Sequence, residues 1–198
     1  MKNIAIIGGS FNPITTGHTM MAEIVLKEMP NIDEVWFMPT YKHQFGKHEQ
    51  YAAQRVKMLK LIETDKIKYF DYEIKNKLLG ETHVTFTKLL NDPKYKKKYN
   101  FSMVIGSDCA FDFDTKWKKP KILSNIVQFI IIPRQGFDIN KYNGILSKPP
   151  HIILKNVKTL DISSTIVRNK IKNGEPINGL VPEKIEEFIV QNGLYINE

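Results

Sequence analysis

Two short stretches of this chain carry most of the residues whose types and spacing could do chemistry. The first is Gly8-Gly9-Ser10-Phe11-Asn12-Pro13-Ile14-Thr15-Thr16-Gly17-His18. Glycines let an anion approach the backbone, because no Cβ stands in the way. His18 falls where a helix begins, and there free N–H groups and the positive end of the dipole attract phosphate. An imidazole at that place can donate to a phosphate oxygen. The stretch is neither Gly-x-Gly-x-x-Gly nor Gly-x-x-x-x-Gly-Lys-Ser/Thr, so it is not one of the common phosphate loops. Read alone, it also suits a tight turn followed by a capping residue.

The second stretch is Asp161-Ile162-Ser163-Ser164-Thr165-Ile166-Val167-Arg168. It combines a helix start, three hydroxyls and an arginine about one turn further on. Arginine is scarce here: only Arg55, Arg134 and Arg168 occur against a background of lysine. An arginine in such a chain points to work that lysine does badly, such as bidentate contact with phosphate or carboxylate. A surface ion pair is the plainer alternative. Gly106-Ser107-Asp108 places a carboxylate that suits ribose hydroxyls, or equally a helix N-cap. Trp117 can stack on a planar ring or simply pack.

The elements that must position these residues alternate. Lys2–Ile7 is apolar and β-branched, hence a buried strand. Further strands are read at Glu34–Pro39, residues 67–74, Phe101–Gly106, Ile126–Pro133 and residues 151–156. Helical spacing marks Thr19–Met29, stopped by Pro30, then Tyr51–Ile62 and Thr82–Leu90. A serine-capped helix from Ile162 ends at Gly174, and a last one starts around Pro182 and ends before Gly193. This pattern predicts an α/β fold. It would be one Rossmann-like, doubly wound, mostly parallel sheet with helices on both faces. A core over residues 1–160 would carry a small C-terminal helical extension over 161–198. Ligands of such sheets bind beyond the carboxyl ends of the strands. Both stretches, Gly106–Asp108 and Arg134 all follow strands. Two anion-binding helix starts and two arginines on one edge suggest a long polyphosphate.

Composition sets the outer bounds. The chain has 198 residues and 42% apolar content, enough for one ordinary core. No apolar run approaches the ~18 residues of a membrane helix. The first residues read as a strand, not a signal peptide. The single Cys109 excludes an internal disulfide and fits a reducing compartment. A soluble, cytoplasmic protein is the expectation, with no membrane partner. The net charge of +8 favours polyanionic partners. The dense cluster Lys94–Tyr99 reads as a solvated loop, with too few aromatics nearby for a nucleic-acid stacking platform.

The first stretch resembles the (His/Thr)-x-Gly-His signature of the adenylyltransferase superfamily, and "ISSTIVR" resembles its Ile-Ser-Ser-Thr-x-x-Arg signature. Together they look like a nicotinate/nicotinamide mononucleotide adenylyltransferase, most like the bacterial-type branch. "VIGSDCAFDFDTKW" and "FIIIPRQGFD" resemble that family's intervening segments, and the tail "IKNGEPINGLVPEKIEEFIVQNGLY" resembles its C-terminal helices. The chain departs from the family in having Thr15 where a histidine is more usual. The loop from Tyr41 to Gln50 matches weakly, and Lys47 is its candidate phosphate-contacting lysine.

The resemblance implies that the 5′-phosphate of a nicotinate or nicotinamide mononucleotide attacks the α-phosphorus of ATP, releasing pyrophosphate in the course of NAD synthesis. It implies His18 and Arg168 as catalytic residues. Gly8, Gly9, Ser10, Phe11, Thr15, Lys47, Gly106, Asp108, Ile162, Ser163 and Ser164 would bind ATP and its phosphates. Thr87, Trp117 and Arg134 would bind the pyridine mononucleotide. Magnesium would travel with ATP, with no protein metal site; His43 and His48 are expected in solvent. Cys109 would be a bystander. Phosphopantetheine adenylyltransferase, which commonly has threonine in the first signature, is the rival within the superfamily; a cytidylyltransferase differs in the second signature. A basic nucleic-acid binder is the rival of another class, though it has no need of the two signatures and nucleic acid is not the expected partner. A homo-oligomer stays open.

Overall fold

The computed structural model describes residues 1–41 and 52–196. Among them, β1 (Lys2–Gly9), β2 (Glu34–Pro39), β3 (Ile67–Tyr69), β4 (Tyr99–Gly106), β5 (Gln128–Ile132) and β6 (Ile152–Ile153) form one sheet. All neighbouring pairs are parallel, in the order β3-β2-β1-β4-β5-β6. The helices are α1 (Thr16–Glu28), α2 (Ala52–Leu61), α3 (Tyr72–Lys75), α4 (Thr82–Asn91), α5 (Ser107–Lys116), α6 (Pro120–Ile126), α7 (Ser164–Lys172) and α8 (Glu183–Gln191).

Strand residues point alternately to the two faces, and both faces are covered. That is why β1, β4 and β5 read as continuous apolar runs. Ala5, Ile7, Val104, Ile130 and Ile132 face one side, where Met21, Ala22 and Val25 of α1, Met58 and Leu59 of α2, Val167 of α7 and Ile185 of α8 pack. Ile4, Ile6, Met103, Ile105, Phe129 and Ile131 face the other, against Phe86 of α4, Phe113 of α5 and Leu123 of α6. Each fully buried aliphatic side chain of this kind contributes roughly 1.5–3 kcal/mol.

The doubly wound expectation holds. Two local readings change and one helix is added. The third strand stops at Tyr69, because Phe70 and Tyr72 turn in to stack with each other at 5.6 Å and pack around Trp36 and Tyr95. The stretch after β4 is a helix, α5, with Asp108 in its first turn where the dipole favours a carboxylate. The last strand shrinks to Ile152–Ile153 at the sheet edge. No helix of the described residues is long and apolar enough to cross a membrane.

Candidate active site

β1 and β4 lie side by side at the centre of the sheet, and the chain leaves them toward opposite edges. A crevice opens at such a switch point, beyond the carboxyl ends of the strands. The residues at its rim come from the ends of β1, β4 and β5 and from the segment leading into α7.

The first loop is built from the inside out. Gly8 and Gly9 still belong to β1. A Cβ on Gly9 would meet the Phe11 ring at 3.1 Å, so only glycine fits without displacing it. Phe11 is 1% exposed and holds a left-handed backbone, φ 49°, which costs a non-glycine residue about 1 kcal/mol or more. Its ring sits edge-on to His18 at 5.2 Å and to Phe37 at 5.3 Å. Phe11 therefore supports the loop from below and has no surface to offer a nucleotide. The peptide between Asn12 and Pro13 is cis.

Thr15 is the N-cap of α1, and His18 stands three residues on, in the first turn. The helix thus begins earlier than its apolar periodicity suggests. The Thr15 backbone N–H donates to His18 Nδ1 at 3.1 Å, and the Thr15 hydroxyl lies 2.7 Å from the same nitrogen. Thr15 is fully buried. Its hydroxyl is occupied by His18, which corrects the expectation that it faces the ATP phosphates. His18 keeps a partly exposed edge. Burial, and then the Arg134 guanidinium, push its pKa down to about 4.

The second stretch meets the first directly. Ser163 caps α7 by accepting from the Ile166 N–H at 3.3 Å, as its type suggests. The Ser164 hydroxyl donates to the Pro13 carbonyl at 2.8 Å. Arg168 Nη1 donates to the Asn12 carbonyl at 2.8 Å, and its Nη2 to Thr165 Oγ1 at 3.3 Å. Ser164 and Arg168 thus brace the first loop as well as bordering the crevice. Ile162 sends its side chain into the core, so only its backbone can meet a ligand. The Ile162 carbonyl would lie 3.1 Å from a Cβ on Gly17, a close approach of α1 to this segment.

Two further clamps were not legible as site residues. Arg55, 5% exposed, donates to the Ser10 carbonyl at 2.7 Å and the Thr40 carbonyl at 3.0 Å. Its scarcity among lysines flagged it, but its partners are backbone, not phosphate. Tyr195, from the C-terminal tail, donates its hydroxyl to Asn12 Oδ1 at 2.7 Å. No local signal could have paired residues so distant in sequence.

At the end of β4, a Cβ on Gly106 would run into the Asp108 carboxylate and come within 2.8 Å of Arg134 Nε. Glycine lets both charged groups lie over the strand end. Arg134 follows β5; its backbone N–H donates to the buried Ser107 hydroxyl at 2.8 Å. Its Nη1 is 3.6 Å from Asp108 Oδ2, and its Nη2 points to Met21 Sδ at 3.7 Å. Asp108 Oδ1 is buried and has no hydrogen-bond partner. Buried acceptors are normally satisfied, so this oxygen is suited to a ligand hydroxyl. The neighbouring Cys109 thiol is pushed up to about 12, chiefly by burial and then by Asp108, and is chemically quiet.

The pyridine-binding expectations divide. Trp117 ends α5 and packs against Phe113 at 5.2 Å and Phe129 at 6.3 Å while staying partly exposed. The next residue, Lys118, pairs with Glu81 at the start of α4, so Trp117 and that helix end are close. Thr87 is on the exposed side of α4, and its hydroxyl donates back to the His83 carbonyl at 2.7 Å. Its exposed side and its bond within the helix do not favour the expected contact with the pyridine mononucleotide. It lies past the first turn, where backbone N–H groups already have partners within the helix. Buried His83, with an unpartnered Nδ1, occupies the first turn instead. Lys47, His43 and His48 lie outside the described residues.

Residues 6–170 match the sequence model of the family described as cytidylyltransferase-like. The nicotinate-nucleotide adenylyltransferase of Bacillus subtilis (strain 168) is 32% identical over 197 residues, spanning 98% of this chain and 99% of the relative. Among solved structures, Plasmodium falciparum nicotinic acid mononucleotide adenylyltransferase complexed with NaAD superposes with a TM-score of 0.78 at 24% identity, covering 98% of each chain. The same Plasmodium protein complexed with APC gives 0.74 at 23% identity. At that identity the structural likeness speaks to the fold. Full-length identity to the Bacillus enzyme speaks to the lineage, and on it the chain belongs to the cytidylyltransferase-like family and to its nicotinate-nucleotide adenylyltransferases.

Proposed function

We propose that the protein transfers the adenylyl group of ATP to a pyridine mononucleotide, nicotinate or nicotinamide, forming the dinucleotide and pyrophosphate. The observation that carries this is the gathering of His18, Arg134 and Asp108 around the ends of β1, β4 and β5. The attacking 5′-phosphate is already an anion, so no general base is required. The task is to align two polyanions and offset the charge of an in-line transition state. His18, at the positive end of the α1 dipole, would receive the phosphates, with Arg134 beside it. Asp108 Oδ1 would accept from a ribose hydroxyl. Trp117 would stack on the pyridine ring near the start of α4. Arg168, Ser163 and Ser164 would border the triphosphate while holding the first loop in shape. The net charge of +8 assists the approach of both substrates. Residues 1–198 would act as one unit, the last helices included.

Magnesium enters this reading with ATP. Among the described residues no group of three or more His, Cys, Asp or Glu side chains could hold a metal ion. Asp108 is the carboxylate at the crevice; phosphate oxygens and water would supply the rest of the shell, as magnesium prefers. When bound, the ion would offset phosphate charge.

The test measures pyrophosphate release from ATP with nicotinate mononucleotide, nicotinamide mononucleotide and phosphopantetheine side by side. Release with a pyridine mononucleotide and none with phosphopantetheine is expected. Absence of release with both mononucleotides would overturn the reading.

A further inference from the structure

We propose that Thr15 is a positioning residue that holds His18 in the neutral tautomer carrying its proton on Nε2, making that N–H a permanent donor at the crevice. The geometry leaves one arrangement. The Thr15 backbone N–H reaches His18 Nδ1 at 3.1 Å, and a backbone N–H can only donate. Nδ1 must therefore present its lone pair. The Thr15 hydroxyl, 2.7 Å from the same nitrogen, must then donate as well, because two facing lone pairs would repel. With Nδ1 accepting twice, the single ring proton of a neutral imidazole resides on Nε2. Nε2 has no partner among the described residues. The Phe11 edge at 5.2 Å fixes the ring plane.

The surroundings oppose a second proton. Arg134, from the end of β5, repels an imidazolium, and Asp108, from the start of α5, is paired with Arg134. Arg168, from α7, is bonded to the Asn12 carbonyl. Adding a proton at Nδ1 would set it against the Thr15 backbone N–H, which can only donate. His18 thus serves as a fixed neutral donor and exchanges no proton during turnover. Thr15 acts through His18 rather than on phosphate.

The role of the donor rests on the adenylyl-transfer reading, but the tautomer does not, so the primary readout is spectroscopic. The full chain, labelled with 15N-histidine, is examined by long-range correlations between ring nitrogens and ring carbon-bound protons. His18 is identified by its absence from a His18→Asn spectrum. The expected pattern is Nδ1 bare and Nε2 protonated, unchanged from about pH 5.5 to about pH 8. In Thr15→Val, the titration of His18 should move up from about 4 by about half to one pH unit and kcat should fall roughly three- to tenfold, the scale of one hydrogen bond. Thr15→Ser should restore both. An Nδ1-protonated pattern, or a parent His18 that titrates near the ordinary 6.5, would overturn the proposal. So would a Thr15→Val protein whose His18 signals and kcat match the parent. Should Thr15→Val fail to fold, the parent spectrum alone decides the matter. A chain that shows the expected tautomer yet releases no pyrophosphate would instead count against the proposed function.

Discussion

His18 is the side chain on which the reading bears most heavily. It stands in the first turn of α1, beside Arg134, with a partly exposed edge at the crevice. Replacing it with alanine should lower kcat by ~10²–10³-fold, as loss of a placed charge-stabilising donor does, while the protein stays folded. Steady-state pyrophosphate release measures this; near-normal turnover would remove His18 from the mechanism. Its depressed pKa also has a consequence for stability. The folded protein releases the His18 proton down to about pH 4, whereas the unfolded chain binds one below 6.5. Between those values the unfolded state holds more protons, so stability rises with pH. The contribution is fully present above 6.5 and is lost as pH falls toward 4. It amounts to about 3 kcal/mol at most. Urea titrations across that window should show a slope in the parent that flattens in His18→Gln.

At the scale of elements, the β4-to-α5 junction shows why a strand end can be a site. Gly106 is the last residue of β4, and Asp108 and Arg134 fold over the space a side chain would fill. Gly106→Ala should therefore displace both charged groups while the apolar run of β4 keeps the strand in place. The expected result is a native far-UV circular dichroism spectrum with ATP affinity reduced roughly tenfold or more, the loss of about one well-placed polar contact. Unchanged ATP binding by calorimetry would show that the crevice lies elsewhere. The residues of this junction were readable as site candidates, because a carboxylate just past a strand's carboxyl end suits ribose hydroxyls, although a helix N-cap fitted the same residues. The helix that follows was not, since aromatic and acidic residues in "SDCAFDFDTKW" blur the helical period.

Across the whole molecule, the two signatures form one hydrogen-bonded assembly. Asn12 alone receives Arg168 on its carbonyl and Tyr195 on its side chain, while Ser164 takes the Pro13 carbonyl and Arg55 the Ser10 carbonyl. Elements from the middle and the very end of the chain thus shape the first loop. Tyr195→Phe removes a buried donor from Asn12 Oδ1 and should destabilise the protein by about 1–3 kcal/mol. A lower urea midpoint at unchanged m-value would report it. Since the loop would loosen, kcat should fall with it. A variant that loses neither stability nor rate would show that the tail does not brace the loop.

The sequence by itself determined the fold class, the order of elements and the two motifs. Those are local properties: apolar runs set the buried strands, and glycine, serine and histidine beside them mark helix starts that attract anions. What it could not determine was the use each side chain is put to, because that depends on which groups lie within about 3 Å after folding. Thr15 and Ser164 read as phosphate contacts, yet each spends its hydroxyl within the protein. Thr87 read as a ligand contact and faces solvent one turn too far along α4. Arg55 stood out as a scarce arginine suited to phosphate and Tyr195 carried no signal, yet both hold the loop. Only the tertiary structure brought donors and acceptors from opposite ends of the chain together, and pairing among them decided which polar groups remain for a substrate.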